Sequence, residues 1–158
     1  MKKILLLMTV ITLALVSCSK DDDDNNTEQQ PTAGSGMLTL QIDNAQSVDF
    51  PIDNASSMGG KIYLNGLNGN DALTIIVTDP TLGPGTYTND ELGIVYSENS
   101  LAVFDDVTNV TGEQYIITEH DQSSHHIVGS FQVTYNDNQD GTPHAAQGTF
   151  DVTYVVIN

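Results

Sequence analysis

The chain has 158 residues, enough for one ordinary domain, with four Lys, no Arg, 21 Asp and Glu, and a formal net charge of −17. Nucleic-acid binding needs a basic footprint to displace counterions, and this composition excludes it. A single Cys excludes an intrachain disulfide framework and a thiolate zinc site, whereas 39% hydrophobic residues is too rich for a wholly disordered chain.

Met1-Lys2-Lys3 is a short basic start, and Ile4 to Val16 is apolar apart from two Thr. This run is shorter than the about 20 residues needed to cross about 30 Å of hydrocarbon. It reads as a secretory signal peptide over residues 1–17. A buried core helix fits poorly, because the stretch is apolar on every face and polar sequence follows at once.

The run ends in Leu15-Val16-Ser17-Cys18. These four residues resemble the lipobox of bacterial lipoproteins, which implies that Cys18 is acylated and becomes the mature N-terminus. The alternative is a free thiol beside an ordinary cleavage site. Each buried methylene contributes about 0.8 kcal/mol, so a multiply acylated Cys anchors a protein without a transmembrane helix. Ser19-Lys20-Asp21-Asp22-Asp23-Asp24 resembles the export signal of surface lipoproteins of Bacteroidota-type bacteria. That implies a lipid-anchored position at the cell surface, outside the outer membrane, the alternative being a periplasmic-facing one. Read by charge alone, the block is a solvated, self-repelling tether. Removing residues 1–17 takes away Lys2 and Lys3 and no acid, which further favours cations over anions as partners.

Asn25 to Gly36 is polar, rich in Gly and Pro, and without period, so residues 18–36 read as a lipidated Cys and flexible acidic linker. The domain is placed at 37–158. Its dominant signal is alternation of apolar and polar residues. Met37 to Asp43, Lys61 to Asn65, Ala72 to Thr78, Leu92 to Tyr96, Leu101 to Phe104, Tyr115 to Thr118, Ile127 to Tyr135 and Thr149 to Ile157 are predicted strands. Turn residues separate them, and no stretch has helical apolar spacing. The expected fold is all-β, an antiparallel β-sandwich or small barrel of roughly eight to ten strands.

Gly129-Ser130-Phe131-Gln132-Val133-Thr134-Tyr135 is echoed by Gly148-Thr149-Phe150-Asp151-Val152-Thr153-Tyr154. The two read as an antiparallel pair joined by the loop Asn136 to Gln147. Phe131, Val133 and Tyr135 must then share a face with Phe150, Val152 and Tyr154. One register of the required parity sets Phe131 opposite Tyr154 and Tyr135 opposite Phe150. With Ile117-Thr118-Glu119-His120-Asp121 and Ile127-Val128-Gly129-Ser130-Phe131, these strands resemble the C-terminal half of a group of Bacteroidota lipoproteins of unknown function. Gly83-Pro84-Gly85-Thr86-Tyr87 resembles the turn into a strand in the same group. The resemblance implies a β-rich fold and carries over no catalytic residue.

Several places carry chemistry-bearing residues. Asn136, Asn138 and Asp140, followed by Gly141, approximate the start of a calcium loop, with hard oxygen ligands around a tight turn. Position one is Asn rather than Asp, and position twelve is Gln147, which offers no bidentate carboxylate. A polar hairpin loop explains the same residues. His120, His125 and His126 flank a short turn with Asp121 beside them, but His125 and His126 point to opposite faces of a strand. His144 stands apart in the long loop. Paired carboxylates, as at Asp105-Asp106, Asp90-Glu91, Asp49 and Asp53, are expected by chance in so acidic a chain. There is no nucleophile elbow and no phosphate loop. Tyr63, Tyr87, Tyr96 and Tyr115 are candidate sugar-stacking residues, or else core.

The functional expectation is a lipid-anchored cell-surface β module with a binding, adhesion or accessory role, without catalysis. Its partner would be a glycan or an outer-membrane protein complex. The alternatives are a small extracellular polysaccharide-acting hydrolase or lyase, and a calcium-dependent adhesion module.

Overall fold

The computed structural model describes residues 33–105, 109–137 and 141–157. These residues form strands and turns, with no helix among them. The strands are β1 (Ser35–Ile42), β2 (Val48–Met58), β3 (Lys61–Asn68), β4 (Asp71–Val77), β5 (Gly85–Tyr87), β6 (Leu92–Glu98), β7 (Leu101–Asp105), β8 (Val110–Asp121), β9 (His126–Asn136), β10 (Pro143–Thr153) and β11 (Val155–Val156). They make one curled sheet, a half-barrel, in the order β5-β8-β9-β10-β1-β2-β3-β4-β6-β7. All pairs on that path are antiparallel, and β11 adds to β2 in parallel. The all-β expectation therefore holds.

The bend of the sheet is made by β2, a strand the alternation pattern does not reveal. Its start runs along β1, with Leu38 opposite Phe50 and Met37 opposite Pro51. From Ile52 onward it runs along β3, and a register shift between Ile52 and Asn54 leaves Asp53 as the extra residue. A bulge of this kind bends a strand and raises its twist. Pro51, which lacks an N–H, stands where the strand changes partner. Tight turns complete the meander beyond it. Gly59–Gly60 and Asn99–Ser100 both have positive φ at each residue, the geometry that two-residue hairpins require.

Alternation then decides which face is dry. Leu38, Leu40, Phe50, Leu64, Ile75, Ile94, Phe104, Tyr115, Ile117, Phe131, Val133, Phe150 and Val152 are buried in one core on the inner side of the curl. An aromatic file crosses it. Phe50 meets Tyr96 edge-on at 6.0 Å, Tyr96 meets Phe104 at 5.6 Å, and Phe104 meets Tyr135 at 4.6 Å. The last contact joins β7, at one end of the sheet order, to β9 near the other. Such ring pairs contribute about 0.5–1.5 kcal/mol each beyond the area they bury.

One buried polar residue closes the same seam. Asn109 sits between β7 and β8 and is 9% exposed. Its Nδ2 donates to the carbonyls of Val103 and Asn136, both at 2.8 Å, and its Oδ1 accepts from the Asp105 N–H at 3.0 Å. Three strands are thereby tied by one amide whose capacity is nearly filled.

The β9–β10 pair corrects the expected register. Phe131 lies opposite Gly148, and Phe150 opposite Gly129. Tyr135 faces His144 rather than Phe150. The parity is as required, since Phe131 and Val152 are both buried. The slide has a steric cause. Each Phe ring lies over the glycine across from it, and a Cβ on Gly129 or Gly148 would run into that ring and into a neighbouring carbonyl, of Ile116 or Thr39. The pairing also makes the connecting loop shorter than expected, because Pro143 to Gln147 belong to β10.

Two outcomes follow from this packing. Gly129→Ala should destabilise the protein by about 1–3 kcal/mol through overpacking, read as a lower urea midpoint at unchanged slope. Asn109→Ala should cost about 2–3 kcal/mol, because it strands one N–H and two carbonyls in a buried seam; the same urea titration checks it.

Candidate functional site

With the core face of β1, β10, β9 and β8 assigned, the other residues of these four strands point outward. The register lines them up in rows across the strands. Gln41 is opposite Gln147, Gln147 opposite Gln132, and Gln132 opposite Gln114. Four amides therefore form one straight row, about 4.8 Å from strand to strand. Thr149, Ser130 and Ile116 make the row on one side, with Thr39 beside Thr149. Ala145, Thr134 and Gly112 make the row on the other.

The long Gln side chains stand as a ridge between these shorter rows. A hollow of about 670 Å³ lies on the side of Gly112, Thr134 and Ala145 and extends to Asp43 and Asn44. A second, of about 330 Å³, lies on the side of Thr39, Ser130 and Thr149. All four Gln line both.

The amides differ in what they already hold. Gln41 Nε2 donates to the Ala45 carbonyl at 2.7 Å, and Gln147 Nε2 donates to Gln41 Oε1 at 2.6 Å. Thr39 and Thr149 hydroxyls meet at 2.9 Å, and the Thr149 N–H donates to Thr39 Oγ1. These bonds fix the β1–β10 end of the rows. Among the described residues, the side chains of Gln132 and Gln114 make no hydrogen bond and are exposed.

Charged residues stand at both ends of this face, and Glu113 lines the larger hollow while Asp49 lies opposite Thr39. At one end His126 Nε2 lies 2.8 Å from Asp151 Oδ1, with Glu119 3.7 Å from Nδ1. The hydrogen bond to Asp151, with the negative charge of Asp151 and Glu119, raises the His126 pKa above its usual 6.5. At the other end Asp43 accepts from the Ala145 N–H at 2.9 Å and contacts His144 Nδ1. The Ala145 bond first, then the His144 bond, hold the Asp43 carboxyl below its ordinary range.

The residues singled out by chemistry fall elsewhere. Cys18, Asn138 and Asp140 lie outside the described residues. Asn136 ends β9, and its backbone N–H and carbonyl bond to Asn109. Asp137 and Gly141 close the turn through backbone bonds. Asp121 caps its own turn: its carboxylate accepts from the N–H and hydroxyl of Ser123 and from the Ser124 hydroxyl, which drives its pKa far below the usual range.

His120 turns inward. Its Nδ1 is 2.6 Å from the Leu82 carbonyl, which only accepts, so the proton sits on Nδ1. Nε2 then accepts from the Tyr154 hydroxyl at 3.0 Å. His125 also packs against the Tyr154 ring, centroid to centroid at 5.4 Å. His120 and His125 thus meet through one Tyr and clamp the Leu82 loop to the chain's end, while His126 points outward. Among the described residues no group of three His, Cys, Asp or Glu is arranged to hold a metal.

The tyrosines are not a stacking platform. Tyr96 and Tyr115 are buried, and burial with nearby Asp71 and Glu98 pushes the Tyr96 phenol up to about 12. Tyr87 donates to the Gly83 carbonyl. Tyr63 is half-buried on the other half of the sheet. The Gln row was not picked out by motif. Each Gln is an ordinary polar position in its own strand, and only the pairing of four strands brings them together.

No known family model matches the chain, and no curated protein matches it significantly.

The His126 shift has a defined pH consequence. A raised folded-state pKa adds stability that is complete below about 6.5 and is lost as pH rises through the folded value. Asp151→Asn should bring the His126 pKa down toward 6.5 and remove that dependence, as read by NMR titration of the ring protons.

Proposed function

We propose that this protein is a lipid-anchored β module displayed at the cell surface, with a binding or accessory role. The observation that carries the binding role is the row of four Gln flanked by two hollows on the outer face of the half-barrel. Most of its lining is amide, hydroxyl and short side chains. That chemistry favours recognition of a partner by hydrogen bonds.

The anchoring role rests on the N-terminal sequence. A basic start, an apolar stretch, Leu15-Val16-Ser17-Cys18 and then an acidic block follow the order in which a lipoprotein is exported, cleaved, acylated and sorted. Described structure begins at Ala33, and β1 at Ser35. Sixteen residues of polar and acidic composition therefore separate Cys18 from the first strand.

Expression of the full chain in a diderm host that exports surface lipoproteins tests this directly. Wild type should incorporate an alkyne fatty acid and be shaved by protease on intact cells. Cys18→Ala should lose the label and the membrane association. Replacing Asp21 to Asp24 by Ala should keep the label and lose the protease sensitivity. An unlabelled wild type recovered from the cytosol would overturn the reading.

A further inference from the structure

We infer that the Gln row with its two hollows is a binding site for an uncharged, hydroxyl-rich polymer, a neutral glycan. This deepens the reading of the protein as a surface binding module and names its ligand class.

Three observations converge on that chemistry. First, hydrogen-bonding capacity is left open at the centre of the face. Gln132 and Gln114 keep whole amides, each with two donors and an acceptor oxygen, and Gln147 keeps acceptor capacity beyond its bond to Gln41. Thr134 and Ser130 add hydroxyls on either side of the ridge. A ligand that matches such a surface must both donate and accept at closely spaced points, as vicinal hydroxyls do. A carboxylate or sulfate accepts only and would leave the amide and hydroxyl oxygens unmatched.

Second, the field selects against anions. The chain carries −17, and Lys61, on β3 in the other half of the sheet, is the one Lys among the described residues. Asp43, Asp151 and Glu119 stand at the two ends of the face, Glu113 lines the larger hollow, and Asp49 lies opposite Thr39. The two histidines at its ends are both already held by carboxylates, His126 by Asp151 and His144 by Asp43. A polyanion would pass acidic groups at both ends with no fixed cation between them.

Third, the relief suits a chain rather than a compact molecule. The two hollows run beside the ridge, across four strands, and are open and continuous along the row. Small residues make the depth: Gly112 and Ala145 on one side, Ser130 on the other. Gly112 sits at a bulge in β8, where the register shifts between Val110 and Gly112. A polymer lying in either hollow meets the Gln amides along its flank and the hydroxyl row beneath, and repeats these contacts at each strand.

The test uses the full-length lipoprotein in detergent micelles against immobilised glycans. The neutral set is dextran, mannan, xylan and β-1,3-glucan; the anionic set is alginate, polygalacturonate and hyaluronan. Wild type should retain at least one neutral glycan and none of the anionic ones. Gln132→Ala combined with Gln114→Ala should weaken that binding about tenfold, the effect of losing one or two hydrogen bonds. Gln132→Glu should weaken it at least as much, since it replaces two donors by a charge. Both side chains are exposed, so melting temperature should stay within about 2 °C of wild type. Leu67→Ala, on the other half of the sheet, should bind as wild type does.

Preference for anionic glycans overturns the ligand class. Neutral binding undiminished in both Gln variants overturns the site. Failure of folded protein to hold any glycan overturns the proposal as a whole. The surface-lipoprotein reading stands or falls separately, on the Cys18 label and protease shaving.

Discussion

Two phenylalanines packed over two glycines set the geometry on which the rest of the molecule depends. Phe131 covers Gly148 and Phe150 covers Gly129 across the β9–β10 pair. The glycines have no side chain to hold the rings off, and both rings are fully buried. Any other register of the same parity would set a ring against a side chain and leave a glycine with nothing over it. The strand pair is therefore locked at its centre. One result is that Gln147 falls opposite Gln132, on the far side of the sheet. The core contact and the outer amide row are two faces of one register choice.

The curl depends on a different kind of constraint. A flat sheet of these strands would leave an apolar face in water. Closing it needs a bend in one strand and a seal where the two halves meet. Pro51 and the extra residue Asp53 make the bend in β2, where the ladder passes from β1 to β3. Phe104 on Tyr135 and the Asn109 amide make the seal. The aromatic contact supplies buried area without direction, while Asn109 supplies direction, since its bonds to Val103, Asp105 and Asn136 form together at one spacing of the strands. Such a network is worth most when complete, because a half-satisfied amide in that seam carries the full cost of its desolvation.

Much of this architecture was legible in the sequence, and the remainder was hidden for specific reasons. Alternation in Met37 to Asp43 and in Ile127 to Tyr135 marks the strands and their dry faces, because one side of each is buried. Val48 to Met58 does not alternate: Pro51, Asp53 and the Asn54 to Ser57 run break the pattern where the strand bends and changes partner. The register of β9 and β10 escaped a rule that pairs aromatics with aromatics, since it turns on where the glycines lie. Asp121 and His120 looked like site residues by type. They are taken up by local work, the first in capping a turn and the second in holding the Leu82 carbonyl and the Tyr154 hydroxyl. The Gln row could not be read at all from one strand, because its four members lie on β1, β8, β9 and β10, far apart in sequence and ordered only by pairing.

An amide row on a sheet carries a hazard as well as a use. Stacked Gln ladders and open strand edges are the features through which β proteins associate with one another. Here the edges are kept short or charged: β5 has three residues, and β7 ends in Asp105. The strong acidic surplus repels a second copy at long range, while the row itself is made of uncharged amides. Asp43 at one end of the row, and Asp151 and Glu119 at the other, place that repulsion where two copies stacking face to face would bring like charges together. The same arrangement leaves an uncharged partner unopposed, so the charge that keeps the protein from itself also narrows what it can hold.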